Sequence, residues 1–171
     1  ALFEFAATDV FTFTDTEVFG SEDVSLQRIN VNGHNDNLAK ALRQMSALFM
    51  RVGGPLDSLF SNSLDRKCSP ANDVEVYDEG IIGTVEGSRV YAGTREFMLE
   101  HGIKILSDTG EIFERQSDST KIMYAAENGE AYAKFYIRYS FSEEFSMLLP
   151  ILDDYGITPL VYTRDPNVSR R

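Results

Sequence analysis

The sequence predicts an α/β (α+β) fold, a twisted, largely antiparallel sheet with helices packed on it. Three observations predict it. Two stretches read as hairpins, Ile82 to Val85 with Arg89 to Ala92 around Glu86-Gly87-Ser88, and Lys121 to Ala126 with Ala131 to Arg138 around Glu127-Asn128-Gly129. One long segment carries a continuous apolar stripe at helical spacing, and a second helical pattern steps into a strand near the C-terminus. Hydrophobic residues make up 43% and charged residues 25% of the 171, a composition that supports a packed core rather than a disordered tail.

The elements follow in order. Val10, Thr12 and Thr14 alternate with Phe11 and Phe13 as a strand, and Val24 to Val31 alternates less cleanly before the Asn32-Gly33 turn. Leu38, Ala41, Leu42, Met45, Leu48 and Phe49 form the helical stripe, with Asn35 or Asp36 able to cap its start and Gly53-Gly54 ending it. Pro55 suits the first turn of a shorter helix through about Leu64, because its missing N–H would be unpaired there anyway. Arg66 to Asn72 reads as a polar loop, and Val74 and Val76 open the strand before the first hairpin. Thr94 can cap a helix through Glu100, with His101 at its negative end and Gly102 as its stop. Ser107 to Thr120 is polar and reads as irregular.

Ser142, followed by Glu143 and Glu144, opens the last helix, in which Phe145, Leu148, Leu149 and Leu152 share a face. Pro150 is expected to kink it, and Gly156 to end it. Ile157 to Thr163 then reads as a buried strand. Ser46 to Met50 and Met147 to Leu152, the longest apolar runs, fit buried helix faces and fall far short of the roughly 20 residues a membrane span needs.

The formal net charge of −11 repels phosphate backbones and offers no basic patch to anionic lipid, which argues against a nucleic-acid partner. Cys68 is the single cysteine, so no internal disulfide forms, and its polar setting reads as an ordinary exposed thiol. His34 and His101 lack ligand spacing, so no metal site is predicted. Neither a Gly-x-Ser-x-Gly elbow nor a Walker loop occurs. Asp153-Asp154 reads as a solvated helix end, since helical neighbours point in different directions. No basic leader precedes Glu4 and Asp9, and the strand-like starts and stops at Ala1-Leu2-Phe3 and Leu160 to Thr163 suggest an excerpt of a longer chain.

Two segments carry a more specific signal. The run Asp78-Glu79-Gly80-Ile81-Ile82-Gly83, its hairpin, and Gly93-Thr94-Arg95-Glu96-Phe97-Met98 resemble the nucleotide-binding domain of heavy-metal P-type ATPases, with its glycine-x-glycine turn and its Gly-Asn before a helix. Gly156 to Asn167 resembles the strand and Thr-Gly-Asp turn of that family's phosphorylation domain. The resemblance covers nearly the whole chain and implies nucleotide contacts at Gly80, Ile81, Gly93 and Thr94; at the glycines the missing Cβ lets backbone approach a ligand. Asp78 stands where the family has its first glycine, and Thr94 where it has asparagine. The family's Ser-Glu-His-Pro-Leu corresponds to Val52-Gly53-Gly54-Pro55-Leu56, so Gly54 replaces the nucleotide-contacting histidine and polar recognition of the base is removed.

The family's Asp-Lys-Thr-Gly-Thr aligns with Thr14-Asp15-Thr16-Glu17-Val18, which puts Thr14 at the phospho-acceptor position. A threonine hydroxyl cannot form the acyl phosphate of that chemistry. Asp15 lies one residue on, where a register shift would restore a carboxylate, although one step along a strand turns a side chain to the other face. Thr163 and Asp165 match the Thr-Gly-Asp turn, with Arg164 in place of its glycine, and Tyr139 to Ser142 carries none of the charges of the family's Asp-Pro-Leu-Arg. Each position also has a plainly structural reading: strand bends for Gly80 and Gly83, a tight turn for Gly93, an exposed strand face for Thr14 and Thr16.

The resemblance implies residues 1–23 and 139–171 as parts of an incomplete Rossmann-like phosphorylation lobe of haloacid-dehalogenase type, around a nucleotide-binding domain at 24–138. It implies ATP as ligand, Mg²⁺ only in a full-length protein carrying the Gly-Asp-Gly-x-x-Asn-Asp stretch, and a parent chain with membrane helices that places this region on the cytoplasmic side. The implied role is that of a divergent relative of ATP-driven cation transporters. The alternatives are a non-catalytic nucleotide sensor or regulatory scaffold, and a soluble phosphatase, which the missing Asp-x-Asp pair disfavours.

Overall fold

A computed structural model describes residues 9–20, 22–33, 36–64, 68–105 and 119–168. In chain order the elements are β1 (Val10–Thr14), α1 (Asp15–Val18), β2 (Val24–Val31), α2 (Asp36–Val52), α3 (Pro55–Asn62), β3 (Asn72–Tyr77), β4 (Gly80–Val85) and β5 (Ser88–Gly93). They continue with α4 (Arg95–Glu100), β6 (Lys104–Ile105), β7 (Thr120–Glu127), β8 (Glu130–Tyr139), α5 (Glu143–Asp154) and β9 (Thr158–Tyr162).

Among the described residues the strands form two sheets. The larger has seven strands in the order β2-β8-β7-β5-β4-β3, antiparallel throughout that path, with β6 added parallel to the start of β8. The smaller is the parallel pair β1-β9, in register from Val10 opposite Thr158 to Thr14 opposite Tyr162. Both predicted hairpins turn on two residues with positive φ, Glu86-Gly87 and Asn128-Gly129, the geometry that matches the twist of the flanking strands.

Alternation along the strands gives the large sheet two working faces. Ile81, Val85, Val90, Ala92, Phe135 and Ile137 face α2 and α3, where Met45, Leu48, Phe49, Leu56 and Phe60 complete the main core. Ile82, Tyr124 and Ala126 face the other way, against Phe97 and Met98 of α4. The caps read from the sequence form: the Thr94 hydroxyl accepts from the Phe97 N–H at 3.2 Å, and the Ser142 hydroxyl from the Phe145 N–H at 3.2 Å.

Several expectations differ from the structure. Thr14 is the exposed last residue of β1, as expected, but Asp15 and Thr16 do not continue a strand face, because α1 starts directly after β1. Gly80 is the first residue of β4 and Gly93 the last of β5, the turn itself being Asp78-Glu79. Cys68 is half-buried against the main core rather than exposed. Met147 and Ile151 are 69% and 48% exposed, and β9 is mostly exposed. The last two share a cause: α5 covers only a two-stranded sheet, so a single helix face (Phe145, Leu148, Leu149, Leu152) finds a partner. The helix runs on through Pro150, whose ring is exposed. His34, Asn35, Arg66 and most of Ser107 to Thr120 lie outside the described residues.

Candidate functional site

The candidate residues gather at two places. The first is the C-terminal end of the β1-β9 pair, where parallel strands open toward ligands in α/β folds. Thr14 ends β1 and starts α1, and both its N–H and its hydroxyl donate to Glu17 Oε2 at 2.7 Å. Those bonds hold the Glu17 carboxyl below its usual range, the backbone N–H contributing first and the hydroxyl next. Thr16 lies alongside, its hydroxyl 3.2 Å from that of Thr14. Asp15 is half-buried in the first turn of α1, so strand alternation does not govern its direction, and its Oδ2 accepts from the Thr163 hydroxyl at 3.0 Å.

Thr163 in turn accepts from the Asp165 N–H at 2.9 Å. Asp165 is buried at 6% exposure, accepts from the Tyr139 hydroxyl at 2.7 Å through Oδ2, and from the Asn167 N–H at 2.9 Å through Oδ1. Burial pushes its carboxyl up to about 7 against those two hydrogen bonds, and the nearby Asp15 charge pushes the same way. The Tyr139 hydroxyl is held well above its ordinary range, first by burial and then by the Asp165 charge. Gly54 joins this group: a Cβ there would lie 3.1 Å from Asp15 Oδ2.

The second place is the β4-β5 pair. Gly80 is directly opposite Gly93, and the Thr94 N–H and hydroxyl donate to the Glu79 carbonyl at 2.9 Å and carboxylate at 3.2 Å. The room left by the missing side chain of Gly80 is filled by Phe97, three of whose ring atoms a Cβ there would approach to less than 3 Å; at Gly93 a Cβ would meet the Glu79 carbonyl oxygen first, at 2.4 Å, and then Phe97 Cδ1 at 2.7 Å. The side chain of Ile81 points into the main core on the opposite face. The structure therefore brings Gly80, Gly93 and Thr94 together, and brings Thr14, Asp15, Thr16, Thr163 and Asp165 together, with Gly54 beside the second set.

Tyr139, Asn167 and Phe97 are the residues that sequence reasoning did not single out as parts of these sites. An open hollow of about 290 Å³ lies elsewhere, at the β7-β8 turn, and neither set lines it. Among the described residues no group of three acidic, histidine or cysteine side chains is placed to hold a metal ion. No described helix is long and apolar enough to cross a membrane.

No family model and no curated protein matches the chain. Solved structures do match. The catalytic domain of the CPx-ATPase CopB-B, described for its conformational changes upon nucleotide binding, superposes with a TM-score of 0.55 at 11% identity over 96% of this chain and 56% of that one. A zinc-transporting PIB-type ATPase matches with a TM-score of 0.54 at 16% identity, over 95% of this chain and 27% of that one. A second structure of a zinc-transporting PIB-type ATPase, in another state, gives 0.52 at 13% identity over 95% and 26%. The chain thus spans about half the length of the first of these structures and about a quarter of the others. At such identities the likeness concerns architecture, and in architecture this mixed α/β chain has the fold of the nucleotide-binding domain of P-type ATPases.

Proposed function

We propose that this chain is the cytoplasmic nucleotide-binding region of a divergent P-type-ATPase-like membrane protein, ancestrally an ATP-driven cation transporter, whose phospho-acceptor aspartate has been lost. One observation carries the reading: within this fold, the end of β1 presents a threonine whose hydroxyl is already committed to Glu17. Attack by a carboxylate on the γ-phosphate gives a labile acyl phosphate, whereas a threonine would give a stable ester that cannot turn over in the same cycle.

On this reading residues 24–138 are the nucleotide-binding domain, with Gly80, Gly93 and Thr94 on the nucleotide side and Ile81 contributing backbone only, its side chain being in the core. Residues 1–23 and 139–171 belong to a phosphorylation lobe of haloacid-dehalogenase type. Gly54 takes the place of a base-contacting histidine, so ATP binding is weak, and Mg²⁺ enters only with the remainder of the parent chain and its membrane helices. Incubation with γ-labelled ATP is expected to yield no phosphoenzyme. An acid-stable, hydroxylamine-sensitive phosphate mapped to Asp15 overturns the proposal.

The Thr14–Glu17 bonds and the Phe97 ring between the glycines also favour a second reading, a nucleotide sensor or regulatory scaffold without turnover. Calorimetry with ATP, ADP and AMP separates the two roles. Saturable binding without hydrolysis supports a sensor, and no heat at millimolar nucleotide leaves the scaffold.

A further inference from the structure

The open hollow of about 290 Å³ at the β7-β8 turn belongs to neither set of candidate residues. Its walls come from the end of β2, the first turns of α2 and the hairpin between β7 and β8. In volume it stands at the lower end of the roughly 300–1,000 Å³ of small-molecule sites, which sets an upper limit on what it can hold.

The lining is fixed by bonds from behind. Glu127, 9% exposed, accepts from the Lys40 ammonium through Oε2 and from Gln44 Nε2 at 3.2 Å through Oε1. Burial pushes its carboxyl up, but the bonds from Lys40, Ser88 and Gln44 outweigh that and hold it below its ordinary value. The Tyr132 hydroxyl donates to Gln44 Oε1, and Lys40 Nζ lies 5.5 Å from the centre of the Tyr132 ring. Asn37 Nδ2 donates to the Asn32 carbonyl at 2.6 Å, and Asn32 Nδ2 to the Ala131 carbonyl at 3.4 Å. Gly33, at φ 93°, makes room for the first of these amides, since a Cβ there would lie 2.9 Å from Asn37 Nδ2. Side chains held by a second partner keep their places when a ligand arrives.

What those bonds leave open decides the ligand. With their amides committed, Asn32 and Asn37 each keep a side-chain oxygen that makes no bond among the described residues. Neither oxygen is sealed from solvent, because among the described residues the fully buried side-chain atom without a partner is Asn167 Oδ1. Glu130 adds an exposed carboxylate. Lys40 carries three N–H donors and uses one on Glu127. Acceptors and a donor side by side suit hydroxyl groups, each of which donates once and accepts as well. The charges are matched in place: Lys40 with Glu127, Glu130 opposite Lys104 across the β6-β8 pair, and Asp36 in the first turn of α2 against the helix's positive end. An anionic ligand would meet Glu127 and Glu130, and a cationic one Lys40 and the α2 N-terminus.

We propose that this hollow binds a small neutral polyhydroxylated ligand of monosaccharide size, with Asn32, Asn37 and Glu130 accepting from its hydroxyls and Lys40 donating to them. The proposal does not depend on nucleotide binding.

The test is a titration of the isotope-labelled chain followed by the amide signals in NMR, with glucose, mannose, galactose and myo-inositol as probes. At least one is expected to give saturable shifts centred on Asn32, Asn37, Lys40 and Glu130, with Kd on the order of 1 mM. Glu130→Ala, at an exposed position, is expected to weaken that binding about fivefold or more, whereas Glu100→Ala, equally exposed on α4 and outside the hollow, leaves it unchanged. Glucosamine and glucose 6-phosphate, with a positive and a negative charge on the same skeleton, are expected to bind more weakly than glucose. No saturable shift with any of the four probes, shifts centred elsewhere on the molecule, or equal affinity in Glu130→Ala overturns the site. Tighter binding of either charged sugar overturns the neutral ligand class.

Discussion

Gly80→Ala tests whether the glycines of β4 and β5 serve the chain's own packing. The added methyl would sit less than 3 Å from Cγ, Cδ1 and Cε1 of Phe97, a distance that carbon atoms do not tolerate. Phe97 cannot withdraw: it is 2% exposed, its ring centroid lies 4.3 Å from that of His101 and 5.6 Å from that of Tyr77, and α4 is fixed at its start by the Thr94 cap. Overpacking of this kind costs about 3 kcal/mol when no neighbour can move. With a urea dependence of about 2 kcal/mol per molar, the midpoint of unfolding should fall by roughly 1.5 M.

The decisive comparison is a double-mutant cycle with Phe97→Ala. That change alone should cost about 3–5 kcal/mol through the cavity it leaves. In its background Gly80→Ala should be nearly neutral, because the obstacle is gone, and the coupling should approach the whole cost of the single change. Equal cost in both backgrounds, or a Gly80→Ala protein within about 0.5 kcal/mol of the parent, refutes the packing argument. The glycines would then be free for a ligand, as the resemblance alone implied.

Burial and charge lead to two more expected outcomes. Leu152→Ala, at 1% exposure, should lose about 3 kcal/mol, whereas Met147→Ala, at 69% on the same helix, should stay within about 0.5 kcal/mol by thermal or urea unfolding. For Asp165, a folded-state carboxyl at about 7 against an ordinary 3.8 means that the folded chain holds the extra proton between those values. Its contribution is complete below about pH 4 and is lost as pH rises to about 7, roughly 4 kcal/mol at about 1.4 kcal/mol per pH unit. Urea unfolding across that window should show the decline, and Asp165→Asn should flatten it.

What was legible in the sequence was local. Asn128-Gly129 fixes a turn through its own backbone, Thr94 and Ser142 cap the residues that follow them, and the stripe from Ala41 to Phe49 needs only a helical period to be seen. What stayed hidden joins distant segments. Tyr139 and Asp165 are 26 residues apart, Gly54 and Asp15 lie in different helical turns far apart in the chain, and no periodic pattern connects either pair. The four residues of α1 are too few to show a period, so Asp15 and Thr16 read as a continuation of the strand. The exposure of Met147 and β9 depends on the small sheet having two strands, which is a fact about neighbours rather than about either segment. Motif comparison found the places where the chain resembles an ion pump, but it could not foresee that Phe97 fills the space between the glycines.

Gly54 presses this last point furthest. By resemblance it stands where P-type ATPases carry a histidine, which invites the idea that Gly54→His would restore nucleotide recognition. The structure opposes that. Gly54 caps α3 at φ 85° and ψ −172°, a backbone region essentially confined to glycine, and any other residue there costs about 1–3 kcal/mol. Its Cβ would also press on the Asp15 carboxylate at 3.1 Å, the group that accepts from Thr163. Gly54→Ala and Gly54→His should therefore destabilise by similar amounts, since the backbone rather than the ring governs the cost, and neither should raise ATP affinity in calorimetry. A neutral Gly54→His that gains saturable ATP binding would mean that the turn between α2 and α3 can still take the pump's conformation. On the geometry here the glycine is built into the turn, since its backbone angles and the nearby Asp15 carboxylate both exclude a side chain.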